Sequence, residues 1–288
     1  TTGLRVSSAA HVLGTITVIS SASFISDVLI RGPEPWIDVK AYGANGDGTD
    51  DSSVIQSAIN AAQTARGTVY FPYTANGYGI NTSLTISGGV KLKGQPGTII
   101  SALSDITIAT FTAPSGYCVV EDLQFNGPAV ASTNPGIYVT KSNHNYFNRI
   151  QIYGFRYGIQ FSTGTTGDAP LLNTITDSVI TENVNYNIFA YGANGLHLNN
   201  ITFGGSKSGG ISFTDGNGLV INEGDCEGLY GACIDLDNTG ASGIHNASIS
   251  GIYFDGNHTS SGVIRIGQTG PVNTINIRDC LFNPGSGS

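Results

Sequence analysis

The residues of this chain best placed to do chemistry are carboxylates on two short apolar runs: Asp225 and Glu227 flank Cys226, and Asp255 follows Phe254. Alternation along a strand sends Asp225 and Glu227 to the face opposite Cys226. With Cys226 in register with Phe254 one coil on, Glu227 falls beside Asp255, and Asp225 falls beside Tyr253. Strand spacing then puts Glu227 and Asp255 about 5 Å apart on the backbone, close to the ~5 to 5.5 Å carboxyl separation of retaining glycosidases. Two like charges that close push one pKa upward, as a general acid requires. Glycoside cleavage needs one carboxyl to protonate the leaving oxygen and another to activate water or attack. Asp225, Glu227 and Asp255 are therefore the candidate catalytic trio. Glu223 and His258 lie near enough in sequence to assist, and Tyr253, Tyr230 and, two or more coils away, Tyr153 are candidates to stack on sugar rings.

Outward carboxylates also have a plainer reading, as a solvated face. Asp122 aligns with Arg149 one coil on and reads as an ion pair. Asp235 and Asp237 alternate along a second strand series, where decoration is favoured over a loose Ca²⁺ site. Asp168 and Glu182 form a second, weaker acid pair, and His144, His197 and His245 read as satisfied polar residues. No CxxC or His-rich spacing points to zinc, so the reading calls for no metal and no cofactor.

The register behind these pairings comes from a repeat. After Gly89 one series of apolar runs ends at Phe125, Ile152, Ile180, Phe203, Cys226, Phe254 and Phe282, with steps of 27, 28, 23, 23, 28 and 28 residues. A second series, Ile137, Ile159, Ile188, Ile211, Ile234 and Ile264, steps by 22, 29, 23, 23 and 30. Two interleaved series with one shared period, built from short alternating strands, mean a β-solenoid. Each period is one coil, and equivalent residues stack at about 4.8 Å.

Composition narrows the function classes. Only 11% of the 288 residues are charged, whereas 40 are Gly, so the surface is made mainly of neutral hydrogen-bonding groups. A net charge of −8 lacks the clustered Lys and Arg that nucleic acid demands. No run of 18 apolar residues exists, which excludes a spanning helix. Of the four Cys, Cys226 and Cys280 are expected about two coils apart, roughly 10 Å and too far to bridge. Buried free thiols are the expectation for that pair, with Cys118 and Cys233 undecided. Without a Met, residue 1 is not an initiator, and Gly285–Ser288 reads as a linker tail.

Upstream of the repeat, Ile37-Asp38-Val39-Lys40-Ala41-Tyr42-Gly43-Ala44 leads through Gly46-Asp47-Gly48-Thr49-Asp50-Asp51 to Gly67-Thr68-Val69-Tyr70-Phe71-Pro72. The Asp50-Asp51 pair supplies a side-chain acceptor for a helix start. The apolar stripe Val54, Ile55, Ala58, Ile59 and Ala62 predicts a helix from about Ser52 to Ala65, ended by Arg66-Gly67. Thr68–Phe71 is a strand stopped by Pro72. This segment resembles the opening motif of the pectate-lyase-3-type right-handed parallel β-helix family, which includes phage tailspikes and several polysaccharide hydrolases and lyases. The resemblance covers about a sixth of the chain. It implies an all-β, right-handed parallel β-helix whose N-terminal α-helix plugs the open end, with Asp47, Asp50 and Asp51 as structural caps.

The domain expectation is an N-terminal strand segment over 1–36, for attachment or assembly or else an ordinary first strand pair of the same domain, set off by Gly32-Pro33-Glu34-Pro35, followed by the β-helix over 37–284. Past Phe282 an uncapped apolar end needs a partner subunit, a further domain or a terminal loop to cover it. The polygalacturonase-type signatures NTD, GHG and RIK, and a DD doublet within the coils, are missing, and no dense Asp cluster faces Arg265 or Arg278 as in Ca²⁺-dependent pectate lyases. The resemblance thus implies a homotrimeric, extracellular or virion-surface protein that binds a polysaccharide and cleaves its glycosidic bonds, tailspike or depolymerase fashion. The rival is a non-catalytic fibre, adhesin or filament subunit that self-associates and uses the solenoid as a rod.

Overall fold

The structure, a computed structural model, describes residues 36–112, 116–128, 131–163, 169–239, 244–255, 262–267 and 269–283. The N-terminal segment, Asp168, His258, the side chain of His245 and residues 284–288 lie outside that set. The expectation of a right-handed parallel β-helix with a capping helix holds: the described strands form a 13-stranded and an 8-stranded sheet, and every pairing in both is parallel.

The two apolar series are the inner columns of these sheets. Ile100, Phe125, Ile152, Ile180, Phe203, Cys226, Phe254 and Phe282 pair successively across the larger sheet. Ile137, Ile159, Ile188, Ile211, Ile234 and Ile264 do so across the smaller one. From Ile100 to Phe254 the first column is at most 1% exposed, so each coil buries one large apolar side chain against the next. At the last coil the column surfaces at Phe282, and Ile266, Ile277 and Leu281 of the same end are exposed as well.

Turns between strands are made by stacked residues in the left-handed region. One column runs Asp122, Arg149, Asp177, Asn200, Glu223, Gly251 and Asp279, with φ between 50° and 67°. It bends the larger sheet once per coil. A second column runs Arg66, Gly89, Tyr117, His144, Leu172, Gly195, Gly218, Asn246 and Thr274, with φ between 51° and 74°. Non-glycine residues are disfavoured in this conformation, but equivalent corners hold one another in place. Down the first column Asp122 accepts from Arg149 Nε (2.6 Å) and Nη2 (3.0 Å) and from Lys93 Nζ (2.8 Å), and Asn200 Nδ2 donates to Asp177 Oδ1 (2.8 Å). The expected Asp122–Arg149 pair is thus present, and Arg149 holds the Asp122 carboxyl down at about 2.

The helix spans Ser52–Ala65 as expected and buries Ile55, Ala58, Ile59 and Ala62, with Val54 half-buried. It packs across the strands Trp36–Asp38 and Thr68–Phe71, where Trp36 pairs with Thr68 and its ring lies 5.2 Å from that of Tyr70. Asp51 departs from its expected role. It is the N-cap residue, but its carboxylate turns back to accept the N–H groups of Asn45 (2.7 Å) and Gly46 (2.9 Å). Those amides sit in the preceding loop and have no strand partner, so the buried carboxylate serves them. Asp50 instead accepts from the backbone N–H and hydroxyl of Ser52.

The cysteine expectation is corrected. Cys226 forms a disulfide with Cys233, because the corner after Glu227 turns the chain so sharply that residues seven apart have Cα atoms 6.3 Å apart. Cys118 is free and buried, and Cys280 is free and half-buried.

Candidate functional site

The outer face of the larger sheet, beyond its left-handed corner, carries two parallel rows of side chains. One runs Gln124, Gln151, Val179, Thr202, Asp225, Tyr253 and Leu281. The other runs Asn126, Tyr153, Thr181, Gly204, Glu227, Asp255 and Asn283. Glu227 pairs with Asp255 and Asp225 with Tyr253, in the register read from the repeat. All three carboxylates therefore occupy one face within two adjacent coils.

Their environments differ. Glu227 is exposed and has no hydrogen-bond partner among the described residues. Asp255 is held: Asn283 Nδ2 donates to its Oδ1 (3.0 Å) and the Tyr253 hydroxyl to its Oδ2 (3.3 Å). Asp225 is half-buried between Thr202 and Tyr253, and its Oδ1 is buried without a partner. Burial, seconded by the nearby charge of Asp255, pushes its carboxyl above the usual range. The site thus sets one carboxyl biased towards its protonated form beside two further carboxyl groups in different surroundings, an asymmetry of the kind that acid–base cleavage uses.

A cleft of about 470 Å³ opens over this face. Glu227, Gly228 and Asp255 line one side and Thr181 and Glu182 the other, with Gly204 and Gly205 between them, while Asp225 is not among the lining residues. Gly204 occupies the position that holds Thr181 one coil before and Glu227 one coil after, so the row of side chains lapses and a depression forms. A Cβ at Gly205 would come 3.0 Å from Glu182 Cγ, and one at Gly204 3.7 Å from Glu227 Cγ. Both glutamates therefore lean over the glycine coil from opposite sides, their backbones two strand spacings, about 10 Å, apart.

Glu182 lines the Glu227 cleft, a placement the sequence does not predict, and its expected pairing with Asp168 falls on a residue outside the described set. The available signal was glycine at 204, 205 and 228, on the coils that follow Thr181 and Glu182. Tyr153 shares the outer face three strand spacings from Glu227, about 14 Å, and its hydroxyl accepts from Gln124 Nε2. Tyr230 is 68% exposed after the next corner and does not line the cleft. Glu223 belongs to the left-handed corner column. Asp235 is ion-paired with Arg265 and accepts from the Tyr186 hydroxyl (3.3 Å), while Asp237 accepts from the backbone N–H groups of Asn238 and Thr269. Among the described residues no three metal-ligating side chains converge, and no helix is long and apolar enough to cross a membrane.

Comparison with known proteins places the fold. No family model matches the chain. Over 72 residues it is 40% identical to the Penicillium expansum protein named non-secreted LysM effector LysM19, a stretch that covers 25% of this chain and 6% of that protein. Among solved structures it is similar to ORF18 of Geobacillus virus E2 (TM-score 0.57, 15% identity, 88% of this chain and 62% of that one). It is also similar to an iota-carrageenase complexed to iota-carrageenan fragments (0.54, 14%, 82% and 61%) and to the Dettilon tailspike protein (0.50, 13%, 85% and 62%). The chain spans less than two thirds of each of these. At such identities the likeness establishes a parallel β-helix and no more.

Proposed function

We propose that this protein is an extracellular or virion-borne β-helix that binds a polysaccharide along the outer face of its larger sheet and cleaves glycosidic bonds at the Glu227 cleft. The observation that carries the reading is the unequal carboxyl set on one face: Asp225 with a raised pKa and an unpartnered oxygen, Glu227 without a partner among the described residues, and Asp255 one strand on. Asp225 donates the proton to the leaving oxygen. Glu227, with Asp255 beside it, supplies the negative charge that attacks or activates water. Thr181 and Thr202 offer hydroxyls to the sugar, and the neutral amides of Gln124, Asn126 and Gln151 extend the face for neighbouring units. Neighbours that include a tailspike and a carrageenase bound to its glycan support the substrate class by analogy of fold.

Residues 1–36 serve attachment in this reading, and a homotrimer or filament is the assembly it calls for. A non-catalytic fibre or adhesin is the second reading, favoured by the tie of Asp255 to Tyr253 and Asn283, a ladder that would equally well brace the last coils. Reducing-end release from a panel of capsular and cell-wall polysaccharides separates the two. Glu227→Gln is expected to abolish release with an unchanged melting temperature; equal release by wild type and variant removes Glu227 from catalysis, and binding without release by wild type favours the fibre.

A further inference from the structure

The second left-handed corner column contains a gap with the form of a ring-binding slot. Its early members are Arg66, Gly89, Tyr117, His144 and Leu172, one per coil, since Thr68 pairs with Lys91 and Lys91 with Val119. Tyr117 and His144 stack face to face, with centroids 4.9 Å apart and planes 17° from parallel. Tyr117 is nevertheless 72% exposed. The next position in the stack is Gly89, which has no side chain, and beyond it stands Arg66 at the C-cap of the helix. Tyr117 and Arg66 are thus two strand spacings apart, about 10 Å, with one empty layer between them. The cleft there measures about 630 Å³ and is lined by Arg66, Gly88, Gly89, Gly116, Tyr117, Asn143 and His144.

The backbone at this corner is constrained. Tyr117 and His144 have φ of 65° and 56°, a region that costs an L-residue roughly 1 to 2 kcal/mol. Glycine or asparagine would serve the turn without that cost, and the chain uses glycine at 89, 195 and 218 of the same column. The aromatic pair therefore brings something other than turn geometry. Arg66, for its part, makes no ion pair or side-chain hydrogen bond among the described residues of a chain whose net charge is −8. An open aromatic face, a facing free guanidinium and a floor of bare backbone match a flat ring with an apolar face, polar edges and a negative charge.

We infer that the Gly89 slot is a second carbohydrate site, which takes one sugar ring bearing an anionic substituent such as a uronic acid. The ring stacks on Tyr117, its carboxylate meets Arg66, and its hydroxyls face the backbone of Gly88, Gly89 and Gly116 and the Asn143 amide. It lies five coils, about 24 Å, from the coil of Glu227, and does not depend on whether that cleft is catalytic.

The test uses the full chain with Glu227→Gln, so that turnover cannot consume the probe, and titrates a glucuronic acid trisaccharide and the neutral glucose trisaccharide by calorimetry at low salt. The acidic sugar is expected to bind more tightly than the neutral one. Tyr117→Ala should weaken the acidic sugar by about tenfold, the worth of one stacked face. Arg66→Gln should erase the preference for the acid. Gly89→Asn, a residue that tolerates this φ, should fill the slot and block binding, and circular dichroism checks that each variant folds. Absence of binding, or binding by all three variants at wild-type strength, overturns the proposal. So does binding that survives Tyr117→Ala but is weaker with Glu227→Gln than with Glu227 intact, because it would lie in the other cleft.

Discussion

Two phenylalanines at equivalent positions of one column should respond differently to removal. Phe203 is 1% exposed between Ile180 and Cys226, and Phe282 is 51% exposed at the end of the same column, stacked on Phe254 with centroids 4.9 Å apart. A Phe side chain buries about 200 Å², which at about 25 cal/mol per Å² corresponds to ~5 kcal/mol. A denatured chain that already hides about a third of that area lowers the figure to ~3.5 kcal/mol, and the cavity left between fixed coils returns it to about 3 to 5. Phe282 buries half the area and borders solvent that can fill the space, so Phe282→Ala should cost no more than ~2 kcal/mol. Urea unfolding followed by circular dichroism, at a concentration where sedimentation shows one species, measures both. Hydrogen exchange adds a locality check: because each coil contacts mainly its neighbours, Phe203→Ala should expose amides of the 174–181 and 217–227 strands before those of the helix end. A loss below about 1.5 kcal/mol for Phe203→Ala, or equal losses for the two variants, would refute the burial argument.

Thiol titration should find four reactive cysteines after reduction, two in denaturant without reductant, and in the native protein only Cys280, because burial of Cys118 keeps its thiol protonated. Reducing the Cys226–Cys233 bridge, which closes a short loop, should cost about 2 to 3 kcal/mol. Acid stability should reflect Asp122, whose carboxyl is held at about 2 against an ordinary 3.8. A depressed folded pKa gives stability that is present above about pH 4 and lost as the pH falls through about 2. Because Arg149 is half exposed, about 1 kcal/mol is expected, so Arg149→Met should be less stable than wild type at pH 7 and converge with it near pH 2. Asp225 works in the opposite sense. Its raised pKa makes ionisation cost stability as the pH rises, so Asp225→Asn should raise the melting temperature at pH 7 and leave it unchanged at pH 3; a fall at pH 7 would contradict the burial of that carboxyl.

The columns of Phe125 to Phe282 and Ile137 to Ile264 were legible because the interior of a solenoid admits apolar side chains at one phase of each coil, and burial repeats that demand every turn. The helix was legible for a similar reason, its stripe from Val54 to Ala62 facing a sheet end that must be covered. Corners were not legible. Sequence marks a left-handed residue when it is Gly or Asn, but Arg66, Tyr117, Arg149 and Leu172 adopt that conformation because the coils above and below impose it. The missed disulfide has the same origin: strand register sets Cys226 against Phe254 and two coils from Cys280, whereas its partner comes from around the corner. Asp51 was misread because a cap is a local inference, and the amides it serves belong to a loop six residues upstream.

Registering carboxylates by coil narrows the candidates, and counting their partners narrows them further. Asp105 has both oxygens taken by the hydroxyls and amides of Ser132, Thr133 and Asn134, which hold its pKa far below the usual range. Asp235 gives one oxygen to Arg265 and keeps the other buried without a partner, whereas Asp122 is bound by Arg149 and Lys93 and Asp237 by the turn at Thr269. A carboxylate satisfied in this way gains nothing by meeting a ligand, since binding would only exchange one partner for another. Among the described residues Glu227 keeps both oxygens free, Asp225 keeps one buried and unmet, and Glu182 leans over the same glycines. Coil register already sets Asp225 and Glu227 apart, but residue type and spacing do not bring Glu182 to them. The lapse of side chains at Gly204 and Gly205 places Glu182 and Glu227 around one opening, with Asp225 on the same face two residues before Glu227, so under the proposed function substitutions there should change glycan binding or cleavage while substitutions at Asp105 or Asp122 should change only how firmly the protein is folded.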